Sequence, residues 1–212
     1  MLRRVGLIGD IHCAHTALRI VLAHLRDEGV DRILAVGDVV DGRGDVSACL
    51  KLLSAPDVDV VRGNHERWLL AGTMRDLPDA TASTALSATE RDQISAWPPT
   101  RRFATPLGGA LLCHGLGSND MARLMAHDEG YALSSNDALQ QLLADKALIA
   151  VMSGHSHVRG VRTLGNVAFI NAGTLIAEPG FAIVDFTQGE VTTHALLVDG
   201  NVVLESAMEL RR

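Results

Sequence analysis

Within its first 65 residues the chain switches twice between short apolar runs of strand length and segments with helical periodicity, and each switch is marked by Gly, Asp or Asn. Val5 to Gly9 reads as a buried strand. Thr16 to Glu28 reads as a helix with Leu18, Val21, Leu22 and Leu25 on one face, ended by Gly29. Arg32 to Val36 is a second strand, Val46 to Leu53 a second helix and Asp59 to Arg62 a third strand. Two successive strand–helix–strand crossovers require parallel strands, which places the chain in the α/β class.

A further helix begins over Glu66 to Leu70, the pattern loosens from Met74 to Ser87, and a helix re-forms over Ala88 to Trp97 before Pro98-Pro99 closes it. From Arg101 the texture is strand-rich. Expected strands cover Arg102 to Thr105, Ala110 to Cys113, Ala147 to Met152, Val161 to Leu164, Val167 to Ile170, Phe181 to Phe186 and Val191 to Val198. Hairpin turns are expected at Gly108-Gly109, Gly165-Asn166 and Gln188-Gly189. A helix over Asp137 to Ala144 takes Ser135 or Asn136 as its cap. The irregular stretch Gly115 to Ser134 before it makes 115–146 a candidate substrate-facing lid. With no repeat and no Pro/Gly/Ser linker, residues 1–212 are expected to form one domain.

An apolar fraction of 47% with 21% charged residues excludes a disordered chain, and 212 residues are ample for a buried core. The formal net charge of −6 argues against stable nucleic-acid binding by phosphate neutralisation. The apolar run after Met1-Leu2-Arg3-Arg4 stops at Asp10, too short for a signal peptide or a membrane span. Cys13, Cys49 and Cys113, an odd number in a long chain, suit a reducing compartment, and a cytoplasmic protein is expected.

Polar residues of the types that bind metals follow one expected strand after another: Asp10 and His12, then Asp38 and Asp41, then Asn64, His65 and Glu66, then His114, then His155 and His157. In open α/β sheets the crevice at the carboxyl ends of the strands binds ligands, so these points should converge. Each piece alone is more often a turn, a cap or a hydrogen-bonded histidine; the five-fold recurrence is what points to a metal centre. Carboxylate, amide and imidazole ligands without thiolate suit two divalent ions, Mn²⁺ before Fe, Zn²⁺, Ni²⁺ or Mg²⁺. Asp38 is centrally placed to bridge ions about 3.5–4 Å apart. Cys13 beside His12 is read as a small buried thiol.

In order, Gly9-Asp10-Ile11-His12, Gly37-Asp38-Val39-Val40-Asp41-Gly42, Gly63-Asn64-His65-Glu66, His114-Gly115 and Gly154-His155-Ser156-His157 resemble the motifs of the calcineurin-like metallophosphoesterases. The compact size and Asn171-Ala172-Gly173-Thr174 are similar to the small bacterial and archaeal phosphodiesterases of that superfamily. The resemblance implies two mixed β-sheets packed as a sandwich between helices, a four-layer fold. It implies Asp10, His12, Asp38 and His157 on one ion and Asp38, Asn64, His114 and His155 on the other. His65 then stands beside the metals, touching the phosphoryl group or protonating the leaving oxygen, with Asp41 orienting it; Asp41 otherwise merely turns the chain before Gly42.

The implied activity is hydrolysis of a small phosphodiester, including a nucleotide, by a metal-bound hydroxide. Phosphoprotein phosphatases of this superfamily carry Arg directly after the second Asp of Gly-Asp-x-x-Asp, a clamp for a dianionic phosphate. Here Gly42 stands there and Arg43 comes next, which tilts the expectation toward diesters and leaves Arg43 as a candidate substrate contact. A phosphomonoesterase or protein phosphatase, and a dinucleoside polyphosphate hydrolase, are the alternatives. A non-catalytic scaffold of this fold, as in retromer, would be expected to have lost the imidazole of Gly-Asn-His, whereas His65 is present. A purely structural metal site would need a closed ligand shell. Oligomeric state is not legible from the sequence.

Overall fold

In the computed structural model, which describes residues 1–210, the alternating first third forms β1 (Arg4–Ile8), α1 (His15–Asp27), β2 (Arg32–Ala35), α2 (Val46–Leu53), β3 (Val58–Val60) and α3 (Asn64–Ala71). After α4 (Ala88–Ala96) come β4 (Thr100–Thr105) and β5 (Gly108–Cys113), then α5 (Tyr131–Ser134) and α6 (Asp137–Ala144). The chain continues through β6 (Leu148–Ser153), β7 (Gly160–Leu164), β8 (Val167–Asn171), β9 (Gly180–Asp185), β10 (Glu190–Leu196) and β11 (Val202–Glu209).

Two mixed sheets result. The first runs β11-β10-β9-β1-β2-β3, with β1, β2 and β3 parallel and β9 antiparallel to β1. The second runs β4-β5-β6-β8-β7, with β5, β6 and β8 parallel and flanked by antiparallel β4 and β7. Side chains alternate along each strand, so every inner strand feeds two cores. Val5 and Leu7 of β1, Leu34 of β2 and Val184 of β9 meet Ala110, Leu112, Met152 and Ile170 between the sheets. Ile8, Ile33, Val60 and Ile183 face outward onto Leu18, Leu22 and Leu25 of α1 and Leu50 of α2. On the far side Leu111, Cys113, Val151 and Phe169 pack on Leu139 and Leu142 of α6. The order helix, sheet, sheet, helix is the four-layer sandwich expected.

Two expectations need correction. Gly108 and Gly109 open β5 and do not form the hairpin turn, which lies at Pro106-Leu107. Thr105 closes it by donating Oγ1 to the Gly108 carbonyl (2.7 Å) while accepting from the Leu107 N–H (3.2 Å). The strand expected over Val191 to Val198 ends at Leu196, and β11, unforeseen, pairs with β10 as an edge strand, with a register shift that leaves out Glu205.

Leu34 is wholly buried between the sheets and Leu204 of β11 is 61% exposed. Leu34→Ala should therefore lower the unfolding free energy by ~2–5 kcal/mol and Leu204→Ala by less than about 0.5 kcal/mol in urea denaturation. Equal losses would contradict the layer assignment.

Candidate metal centre

Every candidate ligand follows a parallel strand at its carboxyl end. Asp10 and His12 follow β1, Asp38 follows β2, Asn64 and His65 open α3 after β3, His114 follows β5, and His155 and His157 follow β6. Tight loops carry them. Among the described residues, eight non-glycines have positive φ, and six belong here: His12, Cys13, Asp38, Asp41, His155 and His157. Each such residue costs on the order of 1–3 kcal/mol, so backbone strain is concentrated at one place and must be held by its surroundings.

The holding groups are visible. Glu66, wholly buried, accepts N–H bonds from Asp38 (2.9 Å), Val39 (2.7 Å), Val40 (3.1 Å) and Gly63 (2.8 Å). It thereby ties the loop after β2 to the turn entering α3. Burial and the Asp38 carboxylate draw its pKa up, and the Gly63 and Val40 N–H groups draw it back. Gly63 has to be glycine because a Cβ there would collide with the Asp38 carboxylate. Asp10 is pinned by the Gly173 carbonyl on its N–H (3.1 Å) and by Thr174 Oγ1 donating to its own carbonyl (2.9 Å). Asn171 donates Nδ2 to the Gly154 carbonyl (2.6 Å) and fixes the turn that presents His155 and His157.

The ligand atoms converge. One group comprises His12, Asp38 and His65 and another Asp38, His114 and His155, each with its ligand atoms within 4.8 Å of one another. Asp38 belongs to both. Asp10 Oδ2 lies 3.9 Å from His157 Nε2, which is 3.2 Å from His12 Nε2, and Asn64 Oδ1 lies 2.9 Å from His114 Nε2. Asp10, His12, Asp38, Asn64, His65, His114, His155 and His157 thus share one crevice. Arg43 does not join them: its guanidinium is 88% exposed and pairs with Asp79 (3.0 Å).

Donor chemistry fits divalent ions. His12 Nδ1 donates to the Asp41 carbonyl (2.8 Å), which leaves the Nε2 lone pair facing His157. His114 Nδ1 donates to the Val36 carbonyl (3.0 Å), which leaves Nε2 facing Asn64 Oδ1 and Asp38 Oδ2 (3.2 Å). In both rings one nitrogen is anchored on a main-chain carbonyl and the other is left for a metal, the arrangement typical of metal-bound imidazoles. Burial, helped by neighbouring imidazolium charge, lowers His12, His155 and His157, the last to about 4, so these rings are neutral and able to ligate. Burial opposes a charge on His114, yet Asp38 and Asp10 outweigh it and raise its pKa to about 9. Burial likewise resists ionisation of Asp38, but His114, His65 and His12 hold its carboxyl well below the ordinary range. Asp10 is pushed up to about 7 by burial, against the pull of His114.

Beside the ligands stands a dyad. Asp41 Oδ2 is 2.8 Å from His65 Nδ1, and His65 Nε2 lies 3.8 Å from Asp38 Oδ2. Sequence reasoning missed what surrounds Asp41: Arg75 grips both carboxylate oxygens and Thr81 adds its N–H. It grouped Glu66 with the ligand-type residues at the strand ends, whereas Glu66 binds main-chain N–H groups behind the site. Arg75 and Thr81 lie in the aperiodic stretch after α3, where no local signal marks a contact 34 or 40 positions back. Glu66, three residues after Gly63, fits the pattern of a helix-start carboxylate. The segment between β5 and α5 is fastened at both ends, by a two-point Arg67–Asp120 pair and by Arg162 donating to the Met125 and Asp128 carbonyls. His127 and Tyr131 are exposed on it.

Residues 4–189 match the family model for the calcineurin-like phosphoesterase superfamily domain. The chain belongs to that superfamily. A symmetrical bis(5′-nucleosyl)-tetraphosphatase of Sodalis glossinidius is 37% identical over 97 residues, 43% of this chain and 34% of that protein. Serine/threonine-protein phosphatase 1 of Salmonella typhimurium is 39% identical over 69 residues, 32% of each chain. The chain thus spans about a third of the length of these two relatives. A metallophosphoesterase structure from Sphaerobacter thermophilus superposes with a TM-score of 0.64 at 20% identity, over 92% of this chain and 88% of that one, which shows the shared fold. No helix among the described residues is long and apolar enough to cross a membrane.

Two outcomes are expected. A Glu66→Gln variant turns an amide NH₂ toward main-chain N–H groups; the unmatched buried donors should cost about 1–3 kcal/mol or more and weaken metal binding, measured by denaturation and by metal content after dialysis. A proton and a metal compete for His114 and Asp10, so Mn²⁺ affinity should rise from about pH 6 to about pH 9 as both lose their protons. Calorimetric titration in two buffers of different ionisation enthalpy should show proton release; an affinity flat across that range would contradict the assignment.

Proposed function

We propose that the protein is a divalent-metal-dependent phosphoric ester hydrolase acting on a singly charged internal phosphoryl linkage, in the first place a small phosphodiester, nucleotides included. The observation that carries this is His65: its Nδ1 is committed to Asp41 while its Nε2 is uncommitted and faces Oδ2 of Asp38, the residue common to both ligand groups. Asp10, His12, Asp38 and His157 would hold one ion and Asp38, Asn64, His114 and His155 the other, and the pair would supply an activated water and neutralise charge at phosphorus. Manganese is the proposed metal, because hard oxygens and imidazoles without thiolate make up the set. A reducing cytoplasm suits the three free buried cysteines.

The chain's own part in the reaction follows from the dyad. Burial opposes a charge on His65, but the Asp41 hydrogen bond and the charges of Asp38 and Asp41 outweigh it and raise its pKa above the ordinary value. His65 is therefore biased toward its imidazolium form, half-buried, and placed to bind a phosphoryl oxygen or deliver an Nε2 proton to the leaving oxygen. Asp41 stays ionised to hold it: burial resists, but His65, Arg75 and the Thr81 N–H keep its carboxyl well below the usual range.

Charge at the substrate side supports a monoanionic linkage. Gly42 lies so close to the His12 carbonyl that a Cβ there would collide with it, so no arginine fits after Asp41 without moving the loop. Arg43, the candidate substrate contact, would have to leave Asp79 to reach in. A dinucleoside polyphosphate presents internal phosphoryl groups of the same single charge, and the tetraphosphatase relative favours that substrate as the second reading. The phosphatase relative keeps a monoester as the third.

The test compares Mn²⁺-dependent hydrolysis of bis-p-nitrophenyl phosphate, diadenosine tetraphosphate and p-nitrophenyl phosphate. Either of the first two should show the higher kcat/KM; preference for the monoester would overturn the substrate reading. Asp38→Asn should abolish turnover. His65→Ala should keep its metals and lose about 10²–10⁴ in kcat; loss of the metals instead would make His65 a ligand.

A further inference from the structure

We infer that Arg75 is a positioning residue for the reaction: with Thr81 it fixes the rotation of the Asp41 carboxylate, and through it the orientation of His65. The inference rests on the reading of His65 given above. It starts from a count of donors and acceptors. Arg75 Nη1 donates to Asp41 Oδ1 (2.9 Å) and Nη2 to Asp41 Oδ2 (2.8 Å). The Thr81 N–H donates to Oδ1 (2.8 Å), and His65 Nδ1 holds Oδ2 (2.8 Å). A carboxylate has about four lone-pair positions, and here all four are filled. Oδ2 therefore has one direction left in which to receive His65, set by the other three partners.

Arg75 is itself largely committed. Of five guanidinium N–H groups, Nε serves the Thr73 carbonyl (2.8 Å), and Nη1 reaches the Thr81 carbonyl (3.3 Å) besides Asp41. With one N–H left over, it is committed to holding Asp41 and is no phosphate clamp in this arrangement. The Asp41 N–H in turn donates to Thr81 Oγ1 (2.9 Å), so main chain and side chain of a residue with left-handed φ (61°) are gripped by the same loop. Arg75 makes no hydrogen bond to any candidate metal ligand. Its grip is on the Asp41 carboxylate, which holds His65, whereas His12 is bound by the Asp41 main-chain carbonyl. The effect of Arg75 on the reaction should therefore run through the carboxylate and His65.

The experiment is a double-mutant cycle on bis-p-nitrophenyl phosphate hydrolysis with Mn²⁺, comparing Arg75→Ala, His65→Ala and the double variant. Metal content and melting temperature are measured alongside. Expected is a kcat loss of about tenfold for Arg75→Ala with KM within about twofold and metal content unchanged. Arg75→Lys, which keeps the charge but cannot span both oxygens, should recover part of the loss. In the His65→Ala background, Arg75→Ala should remove nothing further. An additive loss there, a loss of bound metal, or full kcat in Arg75→Ala overturns the inference while leaving the role of His65 intact. Full kcat in His65→Ala overturns the role of His65, and the inference falls with it. Should Arg75→Ala fail to fold, Arg75→Gln, which keeps most of the packed stem, carries the same cycle.

Discussion

Four main-chain N–H groups from two separate loops converge on one carboxylate, that of Glu66, in a place with no solvent. A buried carboxylate is costly unless its oxygens are satisfied, and loops that turn through left-handed backbone leave N–H groups that no sheet can use. Each problem solves the other. Asp38 is aimed into the crevice because its own N–H is held from behind, and His65 sits one residue before the carboxylate that does the holding. The His65 N–H, moreover, donates to Asp38 Oδ1 (3.0 Å), so the shared carboxylate is oriented by the same turn. The two halves of the site are one hydrogen-bonded unit.

Such a unit gathers charge that the fold alone does not balance. Asp10, Asp38 and Glu66 are almost wholly buried, and the histidines around them divide: His114 is pushed toward the charged form, whereas His12, His155 and His157 are pushed away from it. A neutral imidazole beside an ionised carboxylate is an incomplete arrangement in a low dielectric and a complete one around a cation. The donor set of this crevice is therefore of the kind that a divalent cation would complete.

The parallel order of β1, β2 and β3 was legible because it follows from strand–helix alternation, a local pattern. The strand-end positions of the ligands were legible for the same reason. The sandwich was not, since period-2 and continuous apolar runs say which residues are buried and not which sheet faces which; only the motif resemblance supplied it. β11 escaped because its residues from Val203 to Glu209 are exposed, so Leu204, Glu205 and Ser206 carry no burial alternation. Gly108-Gly109 misled because glycine marks both turns and tight strand contacts; a Cβ at Gly109 would press on the Ala147 carbonyl. Arg75 escaped because a guanidinium in an aperiodic loop has no preferred partner until the chain is folded.

The same distinction bears on substrate charge. A clamp for a dianion needs a guanidinium with free N–H groups pointing into the crevice. Of the arginines near Asp41, Arg75 commits all but one of its N–H groups to Asp41 and two main-chain carbonyls and Arg43 stands in solvent against Asp79, while position 42 has no room for a side chain. The Arg75 charge beside His65 is therefore engaged in building the dyad. On the proposed reading, a phosphoryl group would meet His65 and the metals there, a complement that would suit a single charge and a substrate bearing groups on both sides of phosphorus.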